Sequence, residues 1–175
     1  LVLISSPRFA DHMTPVGHPE RPERGETLTK VAEAYRARGG DVIEPRLATD
    51  ADLLRVHTQA HVDAIVATRG KATMIDEDTF TSPDSEEVAR LAAGAVCVGV
   101  DRALDGPSGS RALVLVRPPG HHAEADRAMG FCLYSNIAVG AAYARSRGCE
   151  RVAIVDYDVH HGNGTQWIFY EDPTV

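Results

Sequence analysis

The sequence predicts an α/β domain built on an open, mostly parallel sheet between layers of helices, and three observations lead there. Short β-branched runs alternate with amphipathic or alanine-rich segments, the pattern of strands joined by crossover helices. The two later runs, ALVLVR and VAIVDY, are apolar on both faces, as a parallel strand covered from both sides must be. Loops rich in His, Gly and Pro follow those two runs, and in an open α/β sheet ligands bind beyond the carboxyl ends of the strands.

In chain order, strands are expected at Val2 to Ser5, Val42 to Pro45, Ala112 to Arg117 and Val152 to Tyr157. A helix is expected near Arg24 to Arg38 and another over Asp50 to Thr68. Thr49 opens the second with Asp52 three residues on, the spacing at which a hydroxyl and a carboxylate each satisfy the other's free backbone amide. Pro83 and the acids Asp84, Glu86 and Glu87 open a third helix that runs to about Leu104, because proline needs no amide partner there and acids complement the helix dipole. A fourth helix runs from about Ser135 to Arg147 and stops at Gly148. The stretches SSPRFADHMTPVGHPERPER and VRPPGHHAEADRAMGFC are long and polar, and long loops in a compact α/β domain usually carry function.

A chain of 175 residues with 43% apolar and 25% charged residues has the size and composition of one soluble domain. There is no apolar run long enough to span a bilayer, no leader-like segment and no fixed-period repeat, so a cytoplasmic protein without membrane partners is expected. Cys97, Cys132 and Cys149 are odd in number and unpaired in spacing, which fits a reducing compartment. The net charge of -7 argues against nucleic-acid binding and favours cationic ligands. Leu1 already lies inside the apolar run LVLIS, and Val175 follows a turn-like EDP; the expectation is a piece of a longer domain.

The stretch VAIVDYDVHHGNGTQ places two carboxylates and two histidines at a strand end. Side chains alternate along a strand, so Asp156, Asp158 and His160 share a face if the extended backbone persists. Two oxygens and a nitrogen at that spacing suit a catalytic divalent metal such as zinc, which keeps one position open. In RPPGHHAE, His121 and His122 sit in a loop pinned by Pro118, Pro119 and Gly120. Imidazole titrates near neutrality, which suits it to take a proton from an activated water and return it to a leaving amine. His57 and His61 share the helical spacing of a metal pair, but no acid accompanies them and they read as core or surface residues. His12 and His18 read as loop scaffold.

HPERPER (His18 to Arg24), DEDTFTSPDSEE (Asp76 to Glu87), RPPGHHAE, GFCLYSN (Gly130 to Asn136) and VAIVDYDVHHGNGTQ resemble, in order and spacing, the N-terminal half of the zinc-dependent histone deacetylase superfamily, on its bacterial and class II side. The resemblance implies an arginase-like fold, truncated here, with residues 1–175 forming the N-terminal part of one catalytic domain. It implies removal of acetyl or related acyl groups from lysine or polyamine nitrogen. Arginases carry an Asp-x-His-x-Asp run suited to two manganese ions; Gly162 after Asp158 and His160 favours the single-zinc branch.

Carried over by position, the resemblance makes Asp158 and His160 zinc ligands and sets His121 and His122 beside the metal, His122 as general base and then acid and His121 as chiefly electrostatic. Asp156 orients His121 and helps bind a structural K+. Asn163 stands where class I enzymes have a second orienting Asp; its amide oxygen still accepts a hydrogen bond but brings no charge. Phe131 and Gly130 line the acyl-lysine tunnel, Asp78 holds substrate backbone at the rim, and Arg24 lies near the acetate exit path. The third ligand, an Asp, and the oxyanion tyrosine belong to later loops: none of Tyr35, Tyr134, Tyr143, Tyr157 and Tyr170 has the glycine-rich context, and Asp172 is misplaced. The 175 residues alone are therefore expected to bind zinc weakly. The expected partners are an acylated lysine peptide or an acetylated polyamine, with a homo-oligomer open; the alternatives to an active deacylase are a non-catalytic acyl-lysine binding module and an inactive fragment.

Overall fold

A computed structural model describes residues 1–175. Strand β1 (Val2–Ile4) leads through a 3-10 turn (Pro7–Ala10) to α1 (Pro22–Ala37), then β2 (Asp41–Ile43), α2 (Asp50–Leu53) and α3 (Gln59–Val66). Strands β3 (Thr73–Met74) and β4 (Phe80–Thr81) precede the long helix α4 (Ser85–Asp105), which is followed by β5 (Ala112–Val114), α5 (Asn136–Ser146) and α6 (Asn163–Phe169). The sheet has the order β2-β1-β5, parallel throughout, with Val2 opposite both Asp41 and Ala112. Strands β3 and β4 form a separate antiparallel pair that puts Thr73 opposite Thr81.

Helix α4 organises the interior. Ala89, Ala93 and Cys97, four residues apart, face a cluster with Leu53, Val62, Ile65, Leu133, Tyr134 and Val139. Val88, Ala92 and Ala95 face Ile4 and Phe9 beside the sheet. A helix apolar on both sides belongs between layers, and this one is buried between the sheet and α5. No helix is long and apolar enough to cross a membrane. All three cysteines are free.

Two expected elements differ. The helix expected over Asp50 to Thr68 is two short helices. Its start is the expected capping box, with the Thr49 and Asp52 side chains each serving the other's backbone amide. After Leu53 the chain leaves the helix, and Thr58 caps α3 by accepting from the His61 amide at 3.2 Å. The break lets the Thr58 amide donate to the Ala125 carbonyl at 2.8 Å and the His57 ring reach the Glu124 carbonyl at 3.0 Å. Contacts from a loop nearly 70 residues away thus outweigh local helix propensity.

The segment Val152 to Tyr157 forms no strand: its one backbone bond joins the Val152 amide to the Thr174 carbonyl at 2.9 Å, and Val155 and Tyr157 are exposed. The edge of β5 faces it across an open apolar groove lined by Val114, Val116, Ile137, Val152 and Ile154, so neither supplies the other's ladder. The apolar pattern is present without the pairing that makes a strand.

Long-range polar contacts fix the loops around the site. Arg117, buried just past β5, donates through Nε to Glu20 Oε1 at 2.6 Å and through Nη1 to the carbonyls of Phe9 and His12. His12 is scaffold, as expected: it is buried, its ring meets Ser85 Oγ at 2.6 Å, and burial pushes its pKa down to about 3, helped by Arg117. His57 and His61 are core residues. His57 donates to the Glu124 carbonyl and accepts from the Ser135 amide at 3.0 Å, while His61 donates to the Leu133 carbonyl at 2.9 Å. Burial pushes the His57 pKa down to about 4.

Candidate active site

The loop after β5 and the loop entering α6 meet at two histidines. His121 holds Asp156 through Nδ1 at 2.9 Å from Oδ2, and His122 holds Asn163 through Nδ1 at 2.7 Å from Oδ1. The acceptors are oxygens, so each imidazole donates from Nδ1, and in the neutral form of either ring the lone pair lies on Nε2. The two ring centroids are 4.1 Å apart. Asn163 is the first residue of α6 and its amide group is fixed at both ends: Nδ2 donates to Glu124 Oε1 at 3.0 Å, which turns Oδ1 toward His122. Glu124 is a site residue that the sequence reading did not single out, although it closes the RPPGHHAE motif. The neighbouring His161 is bonded through Nε2 to Gln166 Oε1 at 2.6 Å.

Glycines make the meeting possible. A Cβ on Gly162 would clash with Asp156 Oδ2 and lie 3.3 Å from His121 Nδ1. Gly130 has φ +57°, and a Cβ there would lie 2.6 Å from the His122 ring. Side chains at either position would displace the imidazoles.

Asp158 and His160 stand beside this pair and are more open, with side chains 49% and 73% exposed. The Asp158 Oδ1 atom accepts from the His160 amide at 2.8 Å and lies 3.1 Å from His160 Nδ1. The rings of His122 and His160 are 6.1 Å apart. The His160 amide, and then its ring, hold the Asp158 carboxyl below the usual range. Asp156 is lowered chiefly by its bond to His121, against a smaller opposing effect of burial.

An oxygen and a nitrogen 3.1 Å apart lie just inside the separation of two ligands on one tetrahedral ion, whose donors at about 2.0–2.2 Å from zinc would be about 3.3–3.6 Å from each other. No three His, Cys, Asp or Glu side chains in the chain are grouped to hold a metal. Asp158 and His160 thus offer two donors, where catalytic zinc commonly takes three protein ligands.

Gly130 lies against the His122 ring, and its neighbour Phe131 is joined to Asp78 through Thr79. Asp78 is exposed; its Oδ1 accepts from the Thr79 hydroxyl at 3.1 Å, and its carbonyl accepts from His18 Nε2 at 3.0 Å. Phe131 has φ +69°, a conformation that costs a non-glycine residue about 1–3 kcal/mol and persists only where its surroundings impose it. Its ring packs edge-on against His18 with centroids 4.8 Å apart. His18, read from sequence as scaffold, therefore borders the site directly. Arg24 stands apart: its guanidinium is exposed on α1, with Glu20 as its one side-chain partner at 3.8 Å.

Comparison with known proteins agrees with this arrangement. The histone deacetylase domain matches residues 18–175. The chain is 40% identical over 178 residues to a probable deacetylase of Methanothermobacter thermautotrophicus, covering all of this chain and 52% of that protein. It is 38% identical over 168 residues to the human polyamine deacetylase HDAC10, covering 89% of this chain and 24% of that one. The crystal structure of the HDA15 HD domain superposes with a TM-score of 0.89 at 38% identity, covering 99% of this chain and 51% of that one. The chain spans about half the length of the first of these relatives and of the solved structure. Parallel sheet, helical layers and paired histidines converge with these matches on one conclusion: the chain belongs to the histone deacetylase domain family.

Proposed function

We propose that residues 1–175 form the N-terminal part of a single zinc-dependent deacylase domain and carry its metal-holding and proton-moving groups, acting on an acylated lysine in a peptide or on an acylated polyamine. The observation that supports this most is the pair of neighbouring imidazoles, each locked through Nδ1 to a different side chain, beside the converging donors of Asp158 and His160.

Asp158 and His160 would hold the metal, and the chemistry a zinc ion brings there is Lewis acidity toward an acyl carbonyl and toward water. Because His122 gives its Nδ1 proton to Asn163, its Nε2 can accept a proton from the attacking water and return it to the departing amine. His121, tied to the Asp156 carboxylate, holds its ring against His122 and acts through its field. Phe131 forms an apolar wall for the acyl-bearing chain, and Asp78 offers its exposed carboxylate to substrate amides or a cationic amine.

The test compares kcat/KM for an acetyl-lysine peptide and for acetylspermidine, using the zinc-loaded full-length protein that contains this sequence. Turnover is expected with the peptide preferred, and Asp78→Asn is expected to lower kcat/KM on the peptide about tenfold, the scale of one hydrogen bond to a charged group. Binding of the peptide without turnover would contradict the reading and is the behaviour of a non-catalytic module.

A further inference from the structure

We propose that the Thr79 hydroxyl is a positioning group that couples the aromatic wall at Phe131 to the rim carboxylate of Asp78, and so sets how tightly an acylated chain is held. The proposal rests on the roles given above to Asp78 and Phe131.

Thr79 is fully buried, between an exposed aspartate and the β4 strand. Its backbone is fixed first: the amide donates to Asp76 Oδ1 at 2.8 Å, and the carbonyl accepts from the Ile75 amide at 2.8 Å. Its hydroxyl then makes two bonds to groups far apart in sequence. It accepts from the Phe131 amide at 3.1 Å and lies 3.1 Å from Asp78 Oδ1. An amide can only donate and a carboxylate only accepts, so the single hydroxyl proton goes to a carboxylate, and Asp78 Oδ1 is the one to which the hydroxyl is hydrogen-bonded. The direction of the relay is fixed, running from the Phe131 N–H through the hydroxyl to the carboxylate, and each bond polarises the next.

A second path closes the circuit. His18 packs its ring edge on Phe131 and donates from Nε2 to the Asp78 carbonyl at 3.0 Å, with its Nδ1 accepting from the Glu20 amide at 3.1 Å. Asp78 is thus gripped at carboxylate and carbonyl by the two groups that flank Phe131. Phe131 needs that grip, because its positive φ is not a conformation a phenylalanine keeps unaided. Thr79 makes no hydrogen bond to His121, His122, Asp158 or His160, so its loss should weaken substrate binding and leave the chemical step largely intact.

Thr79→Val, which removes the hydroxyl at nearly constant shape, and Thr79→Ser, which keeps it, separate this role from packing. In Thr79→Val the Phe131 amide should exchange with solvent about tenfold faster and the KM for an acetyl-lysine peptide should rise about tenfold, the scale of one buried hydrogen bond, with kcat changed less than about threefold. Thr79→Ser should bring both back to within about threefold of wild type. Asp78→Ala, at an exposed position, should also speed Phe131 exchange by removing the acceptor that polarises the hydroxyl. An unchanged Phe131 exchange rate in Thr79→Val or in Asp78→Ala would overturn the coupling, and so would a Thr79→Ser protein as impaired as Thr79→Val. A wild-type protein inactive on every acylated amine, yet with Phe131 exchange that responds to Val and not to Ser, would leave the coupling standing and remove the functional reading.

Discussion

His57 and His61 form one close pair of imidazoles, with centroids 4.8 Å apart, and His121 and His122 form another at 4.1 Å. The pairs differ in what they bond to. His57 spends both ring nitrogens on main-chain groups, the Glu124 carbonyl and the Ser135 amide, and is buried. His121 and His122 each spend only Nδ1, on the side chains of Asp156 and Asn163, and stay partly open. Burial among backbone groups makes a neutral structural pin; a side-chain partner on one nitrogen leaves the other available for proton transfer. The two pairs are also connected, since His57 fastens the carbonyl of Glu124, whose side chain orients Asn163.

The largest expected effect that separates the pairs is on turnover. His122→Ala should lower kcat about 10³-fold, within the usual contribution of a general base, with zinc content unchanged. A drop below about tenfold would move proton transfer to another group. His57→Ala should instead act on stability. It leaves the partly buried Glu124 carbonyl and the buried Ser135 amide without partners and opens a cavity, which together cost about 2–4 kcal/mol, measured as a lower urea midpoint. A loss under about 0.5 kcal/mol would show that the pin carries no weight.

Asp156→Asn sharpens the comparison within the second pair, because the amide can keep the bond to His121 while removing its charge. A loss of about 10- to 100-fold in kcat/KM is expected, the size of effect that partners of site histidines have; an unchanged value would make Asp156 a steric support only.

The smallest effect is on pH dependence. His12 and His57 have folded-state pKa values of about 3 and about 4, below the unfolded value of about 6.5, so the unfolded chain binds more protons as pH falls. Their stabilising contribution is complete above about pH 6.5 and is lost progressively as pH falls toward the folded values. Between pH 7 and pH 6 each imidazole should remove about 0.7 kcal/mol, so the denaturant midpoint should fall together with pH. A midpoint that rises over that interval would contradict the burial of neutral rings.

Local signals in the sequence carried much of this. The Thr49–Asp52 box, the acids opening α4 and Gly148 after α5 each act through neighbours within a few residues, and each stands where the pattern puts it. The motifs at His121–His122 and Asp156–His160 were visible as short runs of polar, titratable residues, but the shared rim expected of two strand ends holds only for the first, which follows β5; the second follows a segment that forms no strand. What was not legible depends on distant partners. Arg117 meets Glu20 across 97 residues and Thr79 meets Phe131 across 52, and neither side chain advertises its partner in its own neighbourhood. The break between α2 and α3 answers a loop at Glu124 and Ala125 that no helical periodicity around Thr58 encodes. Val152 to Tyr157 has the composition of a strand, but a ladder needs a second chain segment at hydrogen-bonding distance, which composition does not specify.

The most direct test of the proposed metal site is the zinc content of three variants of the full-length protein that contains this sequence, equilibrated at one limiting zinc concentration. His122→Ala should hold one zinc per chain as the wild type does, whereas Asp158→Ala and His160→Ala should each lose it, because the first removes a proton carrier and the other two remove donors. One zinc retained in full by both Asp158→Ala and His160→Ala would contradict the assignment of these residues as ligands.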